Sequence, residues 1–200
     1  MGRQVCSIYS KIGDYFMIFE KTKLEDVFVI TPEKKEDNRG FFARIFDKKS
    51  FEEKGLNCDL KQFNISFNTK KGTIRGVHFQ KKPFQETKYV RCIKGRIFVV
   101  VIDLRKESNT FLEKIELELN STLYNMLYIP EGMGMGIQTL EDNSELFYQM
   151  TQVYAPDFGS GIRWNDPFFN IKWPLKVSEI SEKDKTWNMF DTKRFSLEKE

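Results

Sequence analysis

The chain has 200 residues, of which 40% are apolar and 30% are charged, and its net charge is +3 when its single histidine is neutral. This length is enough to bury one hydrophobic core, and so small a net charge, with no block of basic residues, does not indicate nucleic-acid binding. The longest apolar run, residues 97–102, is much shorter than the ~18 residues that cross a membrane, and the first residues lack the apolar stretch of a signal peptide. We predict a cytoplasmic protein with one domain.

The chain predicts many short β-strands. Residues 1–21 are polar and aperiodic, and we interpret them as an N-terminal extension. Strand-like segments then recur about every 8–12 residues between turn residues, which is typical of a sandwich or barrel. The predicted strands are residues 27–30, 40–46, 60–68, 76–80, 88–93, 96–103, 113–119, 125–129, 136–140 and 145–154. Residues 50–54 predict one helical turn. We predict that residues 22–176 form one all-β domain and that residues 177–200 form a short helix and a tail.

Cysteine and histidine usage limits the chemistry. The three cysteines, Cys6, Cys58 and Cys92, form no C-x-x-C pair, so neither a zinc knuckle nor a disulfide framework is indicated. The single histidine, His78, lies in the segment Gly72-Thr-Ile-Arg-Gly-Val-His-Phe-Gln80. It is the only side chain whose ordinary pKa suits acid/base work near neutral pH. Metal sites that need two or three histidines cannot form in one chain, so we predict no metal.

Several motifs occur in a fixed order along the chain. They are Arg39-Gly-Phe-Phe42, Gln62-x-Asn64-x-Ser66, the His78 segment, Gly95-Arg-Ile-Phe98 with Asp103-Leu-Arg105, Ile129-Pro-Glu-Gly132, Tyr148, Tyr154, and Arg163-Trp-Asn-Asp-Pro167 with Ile171-x-Trp-Pro174. Together they resemble the dTDP-4-dehydrorhamnose 3,5-epimerase family, nucleotide-sugar epimerases of cell-surface polysaccharide biosynthesis. The resemblance runs from about residue 24 to residue 174. It implies a double-stranded β-helix, the cupin-like jelly roll, with short peripheral helices.

The resemblance also implies a reaction. The substrate would be a nucleoside-diphosphate 4-keto-6-deoxysugar, whose ketone acidifies the neighbouring carbons 3 and 5. Inversion needs a base, an acid on the opposite face and a group that holds the enolate, but no redox cofactor. On the family pattern, His78 is the base, Tyr148 the acid and Lys88 the lysine near the ketone oxygen. Asp166 corresponds to the carboxylate that hydrogen-bonds the base and fixes its tautomer.

The resemblance further implies residues that bind substrate. Arg39 and Arg75 would grip the diphosphate through their forked guanidinium donors, and Gln62 and Asn64 would orient the sugar or the base. Arg44, Tyr154 and Arg163 complete the predicted binding set. The family's N-terminal strands cross to a neighbouring subunit, so the resemblance implies a homodimer, and the aromatic residues 41–46 suit an edge strand that must be covered.

The chain departs from the family at four places. Met135 and Val99 stand where the family often has a histidine and its aspartate partner, an exchange that replaces a polar pair by an apolar one and leaves open whether one or two carbons are inverted. Arg44 replaces a glutamate, and a second glutamate is missing near Gly159. Because these acids read thymine and its sugar in the family, their loss predicts tighter binding of a cytidine or guanosine diphosphate.

Three other functional classes share this architecture. A metal-dependent oxygenase needs several histidine ligands, which one histidine cannot supply. A ketoisomerase uses the same enolate chemistry but moves the ketone from carbon 4 to carbon 3. A non-catalytic nucleotide-sugar-binding jelly roll remains as a second alternative, although binding alone does not require the acid/base residues His78, Tyr148 and Asp166.

Overall fold

The computed structural model describes residues 7–12, 15–193 and 195–198, and most of its regular structure is β-strand. The predicted extension lies partly, and Cys6 entirely, outside the described residues. The strands are β1 (Ser7–Ile12), β2 (Tyr15–Lys21), β3 (Phe28–Pro32), β4 (Lys34–Asp37), β5 (Gly40–Ala43), β6 (Gln62–Asn68), β7 (Thr73–Gln80), β8 (Lys88–Lys94), β9 (Arg96–Asp103), β10 (Lys114–Asn120), β11 (Met126–Ile129), β12 (Met133–Thr139), β13 (Ser144–Met150), β14 (Gly159–Gly161) and β15 (Glu179–Ile180). None of the helices in the described ranges is long and apolar enough to cross a membrane.

Two large sheets make up the domain. The first has seven strands in the order β1-β2-β3-β11-β8-β13-β6. The second has six, in the order β10-β9-β12-β7-β14, with β15 pairing in parallel to β7. Strands β4 and β5 form a separate hairpin. This arrangement, with the comparisons reported below, confirms the predicted all-β jelly roll.

The main core lies between the two sheets. Val90 and Leu127 of the first sheet and Val99, Val101 and Ile137 of the second belong to one apolar cluster, and all five are almost completely buried. Burial of each such side chain contributes about 1.5–3 kcal/mol. Alternation along the strands points these side chains inward. The cluster fills one part of the space between the sheets, and another part is open.

The N-terminal region differs from the prediction in one respect. Residues 1–21 were expected to lie outside the domain, yet β2 pairs with β3. Its side chains Met17 and Phe19 are 3% and 0% exposed, and Phe19 packs against Phe51 with ring centroids 5.3 Å apart. Met17 and Phe19 belong to a second core cluster, and this packing explains a strand that periodicity alone did not indicate.

The two helices are short and begin at side-chain caps. The predicted helical turn is α1 (Lys48–Glu52), where Asp47 accepts a hydrogen bond from Ser50 N at 3.1 Å. The second helix, α2 (Glu182–Thr186), begins after Ser181, whose hydroxyl accepts from Asp184 N at 3.1 Å. Such caps satisfy amide groups that have no partner inside the helix. Since β15 pairs with β7, the following helix α2 is held beside the middle of that strand.

One glycine permits a close approach within the second sheet. Gly76 in β7 has a φ of 98°, a value that side-chain-bearing residues rarely adopt. A Cβ atom at this position would lie 2.6 Å from the carbonyl oxygen of Met135. The glycine therefore lets β12 pack tightly against β7 two residues before His78.

Candidate active site

A cavity of about 1100 Å³ opens between the two sheets, beyond the main core. The seven-stranded sheet supplies one wall through β6, β8 and β13, and the six-stranded sheet supplies the other through β7, β12 and β14. Seven of the eleven residues predicted for the site line it, namely Gln62, Asn64, Arg75, His78, Lys88, Tyr148 and Tyr154. The four predicted residues outside it are Arg39, Arg44, Arg163 and Asp166.

The imidazole of His78 projects from β7 into this cavity and is held by Asp184. His78 Nε2 and Asp184 Oδ1 are 2.5 Å apart. Because a carboxylate can only accept, this hydrogen bond assigns the ring proton to Nε2. Nδ1 is then left with a lone pair, which is what a general base requires.

Asp184 is itself fixed by further hydrogen bonds. Its Oδ2 accepts from Gly76 N at 3.1 Å, and its Oδ1 also accepts from Trp187 Nε1 at 3.2 Å. Burial alone would raise the pKa of this carboxyl group, but the hydrogen bond and the charge of His78, together with the Gly76 and Ser181 contacts, outweigh it and lower the pKa. Asp184 is therefore ionised at neutral pH and stabilises a protonated imidazole.

This geometry corrects the prediction for Asp166. Its carboxylate accepts from Phe168 N at 2.8 Å and from Phe190 N at 2.5 Å, and the residue is 1% exposed. Both oxygens thus tie the C-terminal segment to the turn that follows Arg163-Trp-Asn. Asp166 makes no hydrogen bond to His78, and Asp184 occupies the position beside that imidazole.

The opposite wall carries two other side chains that were predicted to be catalytic. Tyr148 lies on β13 and Lys88 on β8, both in the seven-stranded sheet, whereas His78 lies in the six-stranded sheet. Burial raises the pKa of Tyr148; the positive charge of Arg75 opposes this, and the negative charge of Glu86 adds to it. The phenol therefore stays protonated at neutral pH. A flat molecule between the walls would face His78 on one side and Tyr148 on the other.

Polar side chains continue along the cavity. Arg75 Nε donates to Asn68 Oδ1 at 2.7 Å, which orients its guanidinium on β7. Gln62 Oε1 accepts from Tyr154 N at 2.8 Å, and Asn64 lines the same wall. These groups come from β6, β7 and the segment after β13. Together they offer the positive charge of Arg75 and several uncharged hydrogen-bonding groups.

Three predicted binding residues do not reach the cavity of their own chain. Arg39 pairs with Asp37 at 2.6 Å, and its side chain is 86% exposed. Arg44 lies 3.4 Å from Asp47. Arg163 Nε donates to the carbonyl of Trp187 at 2.7 Å, so Arg163 holds the segment that contains Asp184 in place.

The apolar exchange noted in the sequence is visible in the second sheet. Met135 pairs with His78 across β12 and β7 and lines the cavity. Val99 is fully buried, and Met135 packs against the cluster that contains it. The surface next to His78 is therefore apolar on this side, as expected when both polar residues are replaced together.

Asp184, Trp187 and Glu86 are among the cavity residues that sequence reasoning missed. Asp184 and Trp187 lie in residues 177–200, which were predicted as a short helix and a tail, and Glu86 was not among the predicted site residues. One local signal was available, because Ser181-x-x-Asp184 has the pattern of a helix N-terminus with an acidic third residue. That signal predicts the helix but not its contact with His78, which is 106 positions away.

Comparison with known proteins gives a consistent result. The family model for dTDP-4-dehydrorhamnose 3,5-epimerase matches residues 21–192. The enzyme of that name from Methanothermobacter thermautotrophicus is 40% identical over 172 residues, covering 84% of this chain and 92% of the relative. The Bacillus anthracis dTDP-4-dehydrorhamnose 3,5-epimerase with TDP and PPi bound is 34% identical with a TM-score of 0.84, covering 87% of this chain and 99% of that chain. The Legionella pneumophila dTDP-6-deoxy-D-glucose-3,5-epimerase in complex with dTDP-4-keto-L-rhamnose is 31% identical with a TM-score of 0.81, covering 86% and 92%.

Proposed function

The chain belongs to the dTDP-4-dehydrorhamnose 3,5-epimerase family and is an isomerase of deoxysugar biosynthesis, and from this we infer the roles of its site residues. We propose that it inverts carbon 3, carbon 5 or both in a dTDP-4-keto-6-deoxysugar. The observation that carries the proposal is the placement of the His78–Asp184 pair on one wall of the cavity and of Tyr148 and Lys88 on the other.

The proposed reaction begins with proton abstraction. Nδ1 of His78 takes the proton from the carbon next to the ketone, and the electron pair of the C–H bond moves to the ketone oxygen. Lys88 donates a hydrogen bond to this developing oxyanion, and Asp184 stabilises the imidazolium. Tyr148 then gives its proton to the opposite face of the same carbon while the ketone re-forms, which inverts the centre.

We propose dTDP as the nucleotide carrier. The presence of Arg44 had predicted a cytidine or guanosine diphosphate instead. In the structure Arg44 pairs with Asp47 and does not line the cavity of its own chain. Two solved relatives carry thymidine nucleotides, TDP in one and dTDP-4-keto-L-rhamnose in the other, and this supports the thymidine assignment.

The function is tested in deuterated water. The protein is incubated with the 4-keto-6-deoxyglucose derivatives of dTDP, CDP and GDP, and deuterium is located by NMR. We expect deuterium at carbon 3, carbon 5 or both, fastest with dTDP, together with inverted product. The carbons that acquire deuterium show how many centres react.

The same experiment separates the alternatives. A 3,4-ketoisomerase would give a product whose ketone lies at carbon 3, with no inverted 4-keto sugar. A non-catalytic binding protein would bind dTDP in calorimetry without any exchange. Either result would reject the epimerase assignment.

We also propose a homodimer in which N-terminal strands are exchanged. The hairpin of β4 and β5 exposes Phe42 by 55%, and β6 exposes Phe63 by 62%. Phe63 contacts Phe147, which lines a second, apolar hollow together with Phe42, so the exposed apolar surface is continuous. Surfaces of this kind are typical of subunit contacts. A second copy would cover them and would bring Arg39 towards the partner's cavity.

Static light scattering tests the dimer. We expect about twice the 23.7 kDa chain mass at micromolar concentration, and Phe63→Glu should shift the protein towards the monomer because it places a charge in an apolar contact. Met189→Glu is the control, since it adds the same charge at an exposed apolar position that lines neither hollow. A wild-type monomer would contradict the proposal.

The cytoplasmic location is likewise a proposal. Cys58 and Cys92 are free thiols in the described part of the chain. Unpaired thiols are typical of reducing compartments, and this supports a cytoplasmic location.

A further inference from the structure

A buried ion pair forms part of the wall opposite the base. Lys88 Nζ and Glu86 Oε1 are 2.6 Å apart, and both residues line the cavity. Lys88 is 6% exposed and Glu86 is 7% exposed. They are two positions apart in an extended segment, so their side chains leave the backbone on the same side.

The backbone that carries this pair is firmly held. Thr87, between the two charged residues, donates its N–H to Thr151 Oγ1 at 3.0 Å and accepts from Thr151 N at 3.1 Å. The two-way contact joins the entry of β8 to the end of β13. The carboxylate and the ammonium group are therefore presented to the cavity in a fixed relative orientation.

One carboxylate oxygen of Glu86 takes no part in the ion pair. Oε2 of Glu86 is buried and has no hydrogen-bond partner within the described part of the chain. A buried carboxylate oxygen without a donor is costly, and nearly all such atoms in proteins are satisfied. Since Glu86 lines the cavity, a donor on a bound ligand can supply the missing hydrogen bond.

The pair offers a donor and an acceptor side by side. A ketone with a hydroxyl on the adjacent carbon offers the complementary arrangement, an acceptor next to a donor. With the ketone oxygen of carbon 4 on Lys88, we propose that Glu86 Oε2 accepts a hydrogen bond from the hydroxyl on carbon 3. This makes Glu86 a substrate-binding residue that selects a 3-hydroxy-4-keto sugar, and the assignment rests on the proposed function.

The experiment compares two substrates in three proteins. The wild type, Glu86→Met and Glu86→Gln are each given the dTDP-4-keto-6-deoxysugar and its 3-deoxy analogue, and kcat/KM is measured for deuterium exchange at the carbon next to the ketone that reacts in the wild type. Because a site built to bind a hydroxyl rejects a ligand without one, we expect the wild type to favour the hydroxy substrate by ~10-fold or more. Glu86→Met has similar length but no acceptor, so its preference should fall to within about 2-fold on the same reasoning.

Glu86→Gln keeps the shape of the side chain and retains a neutral acceptor. It also provides a result if the methionine variant does not fold. Charged acceptors bind about twice as strongly as neutral ones, so its preference should lie between those of the other two proteins. Binding of dTDP, measured by calorimetry, should be unchanged in both variants. A purely structural role for Glu86 would slow both substrates equally and leave the preference at its wild-type value, which would overturn the inference. Absence of exchange in the wild type with any 4-keto sugar would overturn the proposed function, and this inference with it.

Discussion

Replacing His78 with asparagine is expected to lower solvent deuterium exchange into the substrate by roughly 100- to 10,000-fold, the usual contribution of a general base. The imidazole is the group in the cavity that Asp184 orients for proton transfer. Asparagine retains a hydrogen bond to Asp184 but cannot accept a proton near neutral pH. The measurement is the rate at which deuterium enters carbons 3 and 5, with dTDP affinity by calorimetry expected to stay within a few fold.

Tyr148→Phe is the matched control for the base variant. It removes only the hydroxyl and keeps the ring packed against the main core. His78 can still remove a proton and return a deuteron on its own face, so we expect exchange without net inversion. Exchange at the wild-type rate in His78→Asn would show that another group is the base. Full inversion by Tyr148→Phe would show that the second proton has another source.

The second large effect concerns the carboxylate beside the base. Asp184→Asn is expected to lower the turnover number by ~100-fold or more, because an amide stabilises the imidazolium far less and can hold the ring in the wrong tautomer. The asparagine is close in size to the aspartate, so the fold should remain. Turnover and thermal unfolding of the purified variant are measured together.

Asp166→Asn is the counterpart that separates the two acids. Asp166 ties Phe168 N and Phe190 N, and weakening such charge-assisted bonds costs about 1–3 kcal/mol of unfolding free energy. We therefore expect a less stable protein whose folded fraction turns over at nearly the wild-type rate. A large loss of turnover in Asp166→Asn, with little loss in Asp184→Asn, would restore the original sequence assignment.

The Asp184 variant also has a pH signature. Folding lowers the pKa of Asp184, so its ionised form stabilises the folded state above the pKa of an unfolded aspartate, about 3.9. That stabilisation is lost as the pH falls through the lower pKa of the folded state. The difference in melting temperature between wild type and Asp184→Asn should therefore shrink below about pH 4. A difference that stays constant from pH 6 to pH 3 would contradict the contact.

The strands that alternate or form apolar runs were predictable from the sequence. The prediction for residues 96–103 coincides with β9, since a central strand buried on both faces gives a continuous apolar run. Strand β4 (Lys34–Asp37) was not predicted, because its four residues are all charged and its pairing with β5 depends on the hairpin rather than on burial. Strand β2 was missed because its pattern is short and lies in a region taken as an extension.

The site was predictable as far as local motifs carry it. His78, Lys88 and Tyr148 stand in segments with a recognisable pattern, and each lies on the cavity wall. Asp166 also stands in a motif, and there the motif misled, because an aspartate before proline serves a turn. Asp184, which contacts His78, comes from α2, and the parallel pairing of β15 with β7 helps to bring it there. Contacts between distant segments of this kind leave no trace in local spacing.

His78 and Asp184 are 106 positions apart in the sequence, and this separation has a consequence for the synthesis of the protein. A ribosome adds Asp184 only after it has completed the strands that the structure describes in both sheets. Until α2 packs against β7, the imidazole of His78 lacks the hydrogen bond to Asp184 that orients it. Proteolytic loss of α2 would remove Asp184 from His78, so we expect activity to depend on an intact C-terminal region.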